Sequence, residues 1–346
     1  MGNFLNQLGT ALCNTIRKFP HSQICKNTSV NQLRLHQNQL ISVSLSDKNG
    51  QNESFIGKNV ILTIGAKQYY YDILNREIFP NFNLIPYKDK VIVSGEILNQ
   101  KISTITRLKQ MLPNKPKIVI IAGSHSAWSC AWYMLNKLDK LLDKPIHFER
   151  SAIKILHRSD IKLFYSNRDD AINDNYKFNE FLDICPLSGR VNRFSGLRGD
   201  AFELAREVIN ENSVDNPIKL ITLSQTMIAE IKEALDVADL IVPAFGYRAS
   251  TVPILDEKDN EIELAFNDTG LVVDHMTRVI KKNGEPINNI LAYGLGAGMM
   301  PSNNVGGEQG LNRRVDGVWL FQNDVGKIAF STIASNLNLN VSDIII

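Results

Sequence analysis

Lys117-Ile118-Val119-Ile120-Ile121-Ala122-Gly123-Ser124-His125-Ser126-Ala127-Trp128 constrains this chain more than any other stretch. An unbroken β-branched run leaves no face for water, so it predicts a strand buried on both sides of a parallel sheet. The run stops in a turn of small residues, and the sequence from there through Leu142 reads as helix. Strand, small-residue turn and helix make the dinucleotide-binding unit, in which the backbone approaches a pyrophosphate lying on the helix N-terminus. The G-x-G-x-x-A pattern is degenerate here, Ala122-Gly123-Ser124-His125-Ser126-Ala127, with His125 the one large member. Gly123, Ser124 and Ser126 are the residues expected against the pyrophosphate; a bare β-α turn is the plain alternative. His125 has the bulk to reach into a cofactor cleft, and a surface or helix-capping histidine is an equal reading.

A second strand, Ile153 to His157, begins about thirty residues after Gly123, as a β-α-β unit requires. Sites that take NAD place an acidic residue after this strand to bind the ribose hydroxyls. His157-Arg158-Ser159 offers a cation and a hydroxyl instead, which suit a 2′-phosphate. Arg158 therefore favours NADP over NAD, against the ordinary alternative of an exposed arginine.

A length of 346 residues allows one large or two ordinary domains. A hydrophobic fraction of 44% and a charged fraction of 21% are those of a soluble globular protein, and the net charge of +2 gives no reason to expect nucleic acid or an anionic membrane as partner. Cys13, Cys25, Cys130 and Cys185 lie far apart without metal-ligand or C-x-x-C spacing. Reduced structural thiols in a cytoplasmic protein without a metal site are the expectation.

Along the chain, the pattern predicts a helix over 3–18, a hairpin from 32–35 and 40–45, and a buried strand over 59–64 ending at Gly65-Ala66. Lys90 to Val93 reads as a strand and Ser103 to Leu112 as a helix. Residues 159–200 read as polar and irregular, and Arg190, Arg193 and Arg198 among their glycines as a flexible basic loop. A helix follows to about Ile209, then strand Ile218 to Leu223, helix Thr226 to Leu235 and strand Leu240 to Pro243, which ends at Gly246. A hairpin over 261–280, a last strand Asn289 to Tyr293 stopping at Gly294-Leu295-Gly296, and a closing helix Asp324 to Leu337 complete the reading. Alternating strands and helices argue an α/β fold with a parallel sheet.

In their order, these parts resemble the flavin-containing monooxygenase and N-hydroxylase branch of the two-dinucleotide-binding-domain flavoproteins. There an FAD fingerprint, a strand ending in an A-T-G-like turn, an NADP fingerprint, a second A-T-G-like turn and a closing strand follow one another. Ile64-Gly65-Ala66 corresponds to the first such turn, 117–158 to the NADP unit, Ala238 to Arg248 to the second turn, and Asn289 to Gly296 to the closing strand. The resemblance covers nearly the whole chain and rests on order and spacing. It implies a Rossmann-like NAD(P)-binding domain, 114–250, inserted into the remaining part of an FAD-binding-type α/β domain formed by 1–113 and 251–346. It also implies NADP and FAD as cofactors, a small-molecule substrate, and Gly65, Gly246, Gly294 and Gly296 at the cofactors.

Two departures qualify this. Nothing before residue 57 joins a buried strand to a glycine-rich turn, so the FAD fingerprint is missing, and Gly294-Leu295 stands where a Gly-Asp pair is common. Both weigh against FAD being held by this chain alone. A truncated or split chain, a missing N-terminal FAD-binding segment supplied from elsewhere or a homo-oligomer, and lost flavin chemistry all remain open. The expected function is an FAD- and NADP-dependent oxidoreductase of flavin-monooxygenase type. The alternatives are a flavoprotein NAD(P)H reductase of the same architecture or a non-catalytic nucleotide-binding pseudoenzyme. Cys185 reads as packed rather than reactive, and no catalytic acid or base can be assigned. The glycine-rich stretch Gly294 to Gly310, with Pro301, Asn303, Asn304 and Glu308, is expected near the flavin and substrate.

Overall fold

The computed structural model describes residues 2–210, 215–267, 270–294, 296–299, 305–311, 315 and 325–339. Elements are numbered in chain order. The first helix is α1 (Gly2–Ile16), followed by the strands β1 (Thr28–Leu35), β2 (Ile41–Asp47), β3 (Asn52–Gly57), β4 (Val60–Leu62) and β5 (Ala66–Lys67). Three helices come next, α2 (Tyr70–Asn75), α3 (Ser94–Leu98) and α4 (Ile102–Met111). An alternating stretch follows: β6 (Ile118–Ile121), α5 (His125–Leu142), β7 (Ile153–His157), α6 (Arg168–Asn173), α7 (Asp200–Asn210), β8 (Ile218–Thr222), α8 (Ile228–Val237) and β9 (Leu240–Pro243). The remainder holds β10 (Arg248–Ala249), β11 (Ile254–Leu255), β12 (Phe266–Asn267), β13 (Gly270–Val272), β14 (Arg278–Ile280), β15 (Pro286–Ala292), β16 (Ala297–Gly298) and α9 (Gly326–Asn336). The fold is mixed α/β; among the described residues one sheet is wholly parallel, three are mixed and β5 with β10 forms an antiparallel pair.

β6 is apolar throughout because it is covered twice. The parallel sheet has the order β8-β7-β6-β9. Ile118 and Ile120 enter a core with Trp128 and Met134 of α5. Val119 and Ile121 enter another with Ile231 and Leu235 of α8. All four β6 side chains are at most 1% exposed. β7 and β8 extend the sheet to one side of β6 while β9 lies on the other, in parallel register Ile118↔Leu240. The order therefore reverses between β6 and β9, and the crevice at their carboxyl ends is where an open α/β sheet receives a ligand. The stretch 70–112, which the sequence groups with the first segment, packs Leu74, Ile97 and Leu108 on the two faces of this sheet. Lys90 to Val93 is not a strand of its own: a 3₁₀ helix runs over Ile85–Lys90, and Val91 bridges to Ile241 at the outer edge of β9.

The remaining strands enclose a further core around Leu33, Ile41, Val279, Ile287 and Ile290. β1, β2 and β3 form a meander, with β3 pairing onto β2 from Ile41↔Gly57 to Ser46↔Asn52, so the expected hairpin gains a third strand. β4 pairs in parallel with β15, Ile290↔Val60 to Ala292↔Leu62, which brings the strand ends at Gly65 and Gly294 together. The expectation of a buried strand over 59–64 is corrected here. Among the described residues β4 is the edge of its sheet, and Ile61 and Ile64 are 41% and 40% exposed. Of the expected closing helix, Asp324 lies outside the described residues, and α9 runs over Gly326–Asn336.

The reading of 159–200 as irregular holds apart from the short helix α6, but the segment is not loose. The segment is ordered by bridges Leu163↔Leu197, Tyr165↔Val191 and Ile184↔Val191, and Tyr165, Cys185, Val191 and Asn192 are buried. Short apolar residues spread among polar ones carry no period, so an insert held by isolated bridges is invisible to pattern reading. Asp174 accepts from Arg206 Nε at 2.7 Å and from the Tyr165 hydroxyl at 2.6 Å, which ties the insert to α7. The Arg206 hydrogen bond holds the Asp174 carboxyl below the usual carboxylate range, against the effect of burial.

Candidate functional site

The turn after β6 is built by backbone geometry. Ala122 takes φ +135°, a region that favours glycine, and its amide donates to the Leu156 carbonyl at 2.9 Å. Here the first glycine of the fingerprint is replaced by alanine in a glycine conformation. Gly123 is needed for a different reason: a Cβ there would lie 2.7 Å from Ile161 Cδ1 and 3.1 Å from His157 Cβ. The missing side chain lets α5 pack closely on the end of β7. The first amides of a helix have no intrahelical acceptor, and the positive end of the helix dipole lies at the Ser124 to Ser126 turn, which suits an anion there. Ala122→Gly is expected to raise stability by about 1 kcal/mol by relieving this conformation. Urea denaturation checks it, and an unchanged or lowered midpoint would show that Ala122 carries no strain.

His125 does not reach freely into the crevice. Its Nε2 accepts the Arg198 amide at 3.1 Å, which fastens the helix start to the 159–199 insert. Arg158 is exposed after β7, and its Nη2 donates to the Glu77 and Ile78 carbonyls at 3.3 and 3.2 Å. The guanidinium is thus held beside the crevice with further donors to offer.

Gly65, Gly246 and Gly294 have φ of +68°, +84° and +94°, so each strand end turns in a left-handed conformation. Gly296 is tight: a Cβ there would lie 2.4 Å from the Gly65 carbonyl oxygen, so that contact alone requires glycine. The same Gly65 oxygen accepts the Ser250 amide at 3.0 Å, and β5 pairs antiparallel with β10 through Lys67↔Arg248. Gly65, Gly296 and the turn around Gly246 are thereby joined in one place, while Gly123 to Ser126 and Arg158 stand apart on the carboxyl side of the parallel sheet.

Gln68, which no sequence pattern marks, locks this region. Its Nε2 donates to Ser94 Oγ at 3.0 Å and to the Gly246 carbonyl at 3.2 Å, and its Oε1 accepts the Gly95 amide at 2.8 Å. A polar residue three positions past a strand-ending glycine was the one available signal. Beside Gln68 and Gly246 opens a cavity of about 760 Å³. Arg76 lies on its wall, its guanidinium 5.1 Å from the Phe245 ring centroid.

Arg193 is not on a flexible loop but 7% exposed, donating to the Val305 carbonyl at 2.8 Å. Arg198 stacks on Phe164 at 3.9 Å. Glu308 is fully buried, and its carboxyl accepts the Phe194 amide at 3.1 Å, the Ser195 amide at 2.8 Å and the Ser195 hydroxyl at 2.6 Å. Residues 305–311 are therefore pinned to the insert; Pro301, Asn303 and Asn304 lie outside the described residues, as does Leu295. Cys185 is buried, which would raise its thiol, yet hydrogen bonds from Ser188, Arg193 and the Gly307 amide hold it below the ordinary value. Burial pushes the Cys130 thiol up to about 12, so it is inert at neutral pH.

NADP fits the residues present: a glycine in contact with the strand behind it, a helix N-terminus at the Ser124 to Ser126 turn and a cation beyond the second strand. For a flavin, the turns at Gly65, Gly246 and Gly294 would offer close approach of backbone bare of side chains.

No protein-family model matches the chain. The CMP-5′-(3-aminopropyl)phosphonate hydroxylase of Streptomyces rubellomurinus is 29% identical over 349 residues, covering 97% of this chain and 75% of that protein. A hydroxylase relative thus runs along nearly the whole chain. Among solved structures, the reduced form of ornithine hydroxylase from Pseudomonas aeruginosa matches 90% of this chain and 71% of its own at 12% identity and a TM-score of 0.44. L-lysine 6-monooxygenase from Pseudomonas syringae matches 90% and 70% at 15% identity and a TM-score of 0.42. No helix among the described residues is long and apolar enough to cross a membrane.

Proposed function

We propose that this chain is an NADPH-dependent flavoprotein oxidoreductase of hydroxylase type, acting on an amine carried by a nucleotide-linked phosphonate. The observation that carries this is the arrangement of the crevice between β6 and β9. An anion-binding turn at Gly123 to Ser126 and a cation at Arg158 lie at one end, and the joined glycine turns at Gly246, Gly65 and Gly296 at the other. The substrate class follows that of the Streptomyces relative.

The pyrophosphate of NADPH lies on the amides of Ser124, His125 and Ser126, with its 2′-phosphate toward Arg158. His125 keeps the helix start in place through Arg198, and Gln68 fixes the Gly246 turn against α3. Flavin would supply electron transfer from NADPH to oxygen, held at the glycine turns that resemble those of flavoproteins. What this chain's residues do is bind the nicotinamide nucleotide, orient it across the sheet's carboxyl edge and bring a substrate to the glycine turns.

The test is NADPH consumption by the purified protein supplied with FAD and CMP-5′-(3-aminopropyl)phosphonate, with mass spectrometry of the product. Gain of one oxygen by the substrate supports the proposal. NADPH oxidation without that gain would replace the hydroxylase by a reductase. Absence of NADPH binding would sink both.

A further inference from the structure

Arg158 leaves the parallel sheet beside a strand that ends in two hydroxyls, and no part of the nucleotide reading uses them. β7 and β8 pair in parallel up to His157↔Thr222, and the Leu223 amide still donates to the His157 carbonyl at 2.7 Å. Paired strands lie about 4.8 Å apart, so Arg158 and Ser224 leave the carboxyl edge of the sheet as close neighbours. The two exits are also braced together. Arg158 Nη2 donates to the Glu77 and Ile78 carbonyls, and Leu223 and Met227, on either side of the Ser224 to Thr226 turn, pack on the core that holds Ile78.

Ser224 stands where a serine ordinarily caps a helix. It precedes a 3₁₀ turn over Gln225–Met227 that runs into α8, yet its side chain accepts no amide from that turn. Its Oγ lies 2.9 Å from Thr226 Oγ1 instead. One hydroxyl proton is spent between the two oxygens, and the other is left to donate outward. Neither hydroxyl has a further partner among the described residues. Ser224 is half-buried and Thr226 exposed, so the pair meets solvent at the edge where Arg158 stands. Net charge does not decide what binds here, since Glu77 and Asp160 are close in sequence to Arg158 or its contacts, and Glu77 accepts the Asn81 amide at 3.2 Å. The supply of donors does.

We propose that the Ser224–Thr226 hydroxyl pair is a specificity determinant for NADPH, donating a hydrogen bond to the 2′-phosphate that Arg158 also holds. The assignment rests on the reading of the crevice as an NADPH site. A phosphate monoester presents three terminal oxygens; an arginine fork takes two of them and a hydroxyl the third. NADH has only a ribose hydroxyl at that place, which water at the same edge satisfies as well. The pair therefore adds affinity for NADPH and little for NADH.

The experiment is calorimetric titration of the full chain with NADPH and with NADH, on wild type, Ser224→Ala, Ser224→Asp, Thr226→Val and Arg158→Ala. Ser224→Ala should weaken NADPH about tenfold, as loss of a hydrogen bond to a charged group does, and leave NADH within about twofold. Thr226→Val, which frees Ser224 from its partner, should weaken NADPH about threefold. Ser224→Asp sets a carboxylate against the phosphate and should weaken NADPH about a hundredfold without weakening NADH. Thermal melting checks that each variant folds. A role confined to the start of α8 would lower both nucleotides together, and equal losses therefore overturn the assignment. Wild-type NADPH affinity in Ser224→Ala overturns it too, whatever Ser224→Asp shows. If Arg158→Ala loses NADPH selectively in that case, the NADPH reading stands and the hydroxyl pair falls. If wild type binds no NADPH, both fall.

Discussion

Arg158→Ala is expected to weaken NADPH binding by about 1–3 kcal/mol, roughly 5- to 150-fold in Kd, while NADH binding stays unchanged. The nucleotides differ only in the 2′-phosphate, so the comparison isolates one group. Arg158 is already held by the Glu77 and Ile78 carbonyls, both through Nη2 at more than 3 Å. Such tethering orients the fork before a phosphate arrives and lowers the side-chain entropy lost on binding. Arg158→Lys keeps the charge and loses the fork, and should fall between wild type and alanine. Titrations of both variants with both nucleotides decide the matter. Equal losses for NADPH and NADH would mean that Arg158 only braces the stretch after α2.

Glu308→Ala should destabilise the protein by about 2–4 kcal/mol. Its carboxyl is the acceptor for two backbone amides and one hydroxyl, and alanine would leave them buried without a partner. Each orphaned amide costs about 1–3 kcal/mol, and the carboxyl regains its own hydration when the chain unfolds, which keeps the net below the sum. Glu308→Gln retains one acceptor oxygen, able to serve the Ser195 amide and hydroxyl, and should lose about half as much. Chemical denaturation of both variants reads this directly. An alanine variant within about 0.5 kcal/mol of wild type would show that water replaces the carboxyl.

The parallel sheet was legible because its strands are covered on both faces: β6 and β9 are continuous apolar runs, and only a buried strand reads that way. Glycines at 65, 246 and 294 were legible as strand-ending turns, and all three take left-handed conformations. The reason for each was not. Gly123 and Gly296 are demanded by packing on His157, Ile161 and the Gly65 carbonyl, contacts between residues remote in sequence. For the same reason the 159–199 insert looked loose: Glu308, more than a hundred residues away, is what fastens its Phe194–Ser195 turn. β4 misled in the opposite direction, since apolar composition cannot tell a strand with two neighbours from one with a single neighbour.

Among the described residues, β4 has β15 on one side and nothing on the other, with Ile61 and Ile64 standing beside the open edge. Free amides and carbonyls flanked by isoleucines template the addition of any extended polypeptide. An edge of this kind is a place where folded molecules could meet without unfolding, so a charged residue at Ile61 or Ile64 would change self-association and leave folding stability nearly untouched.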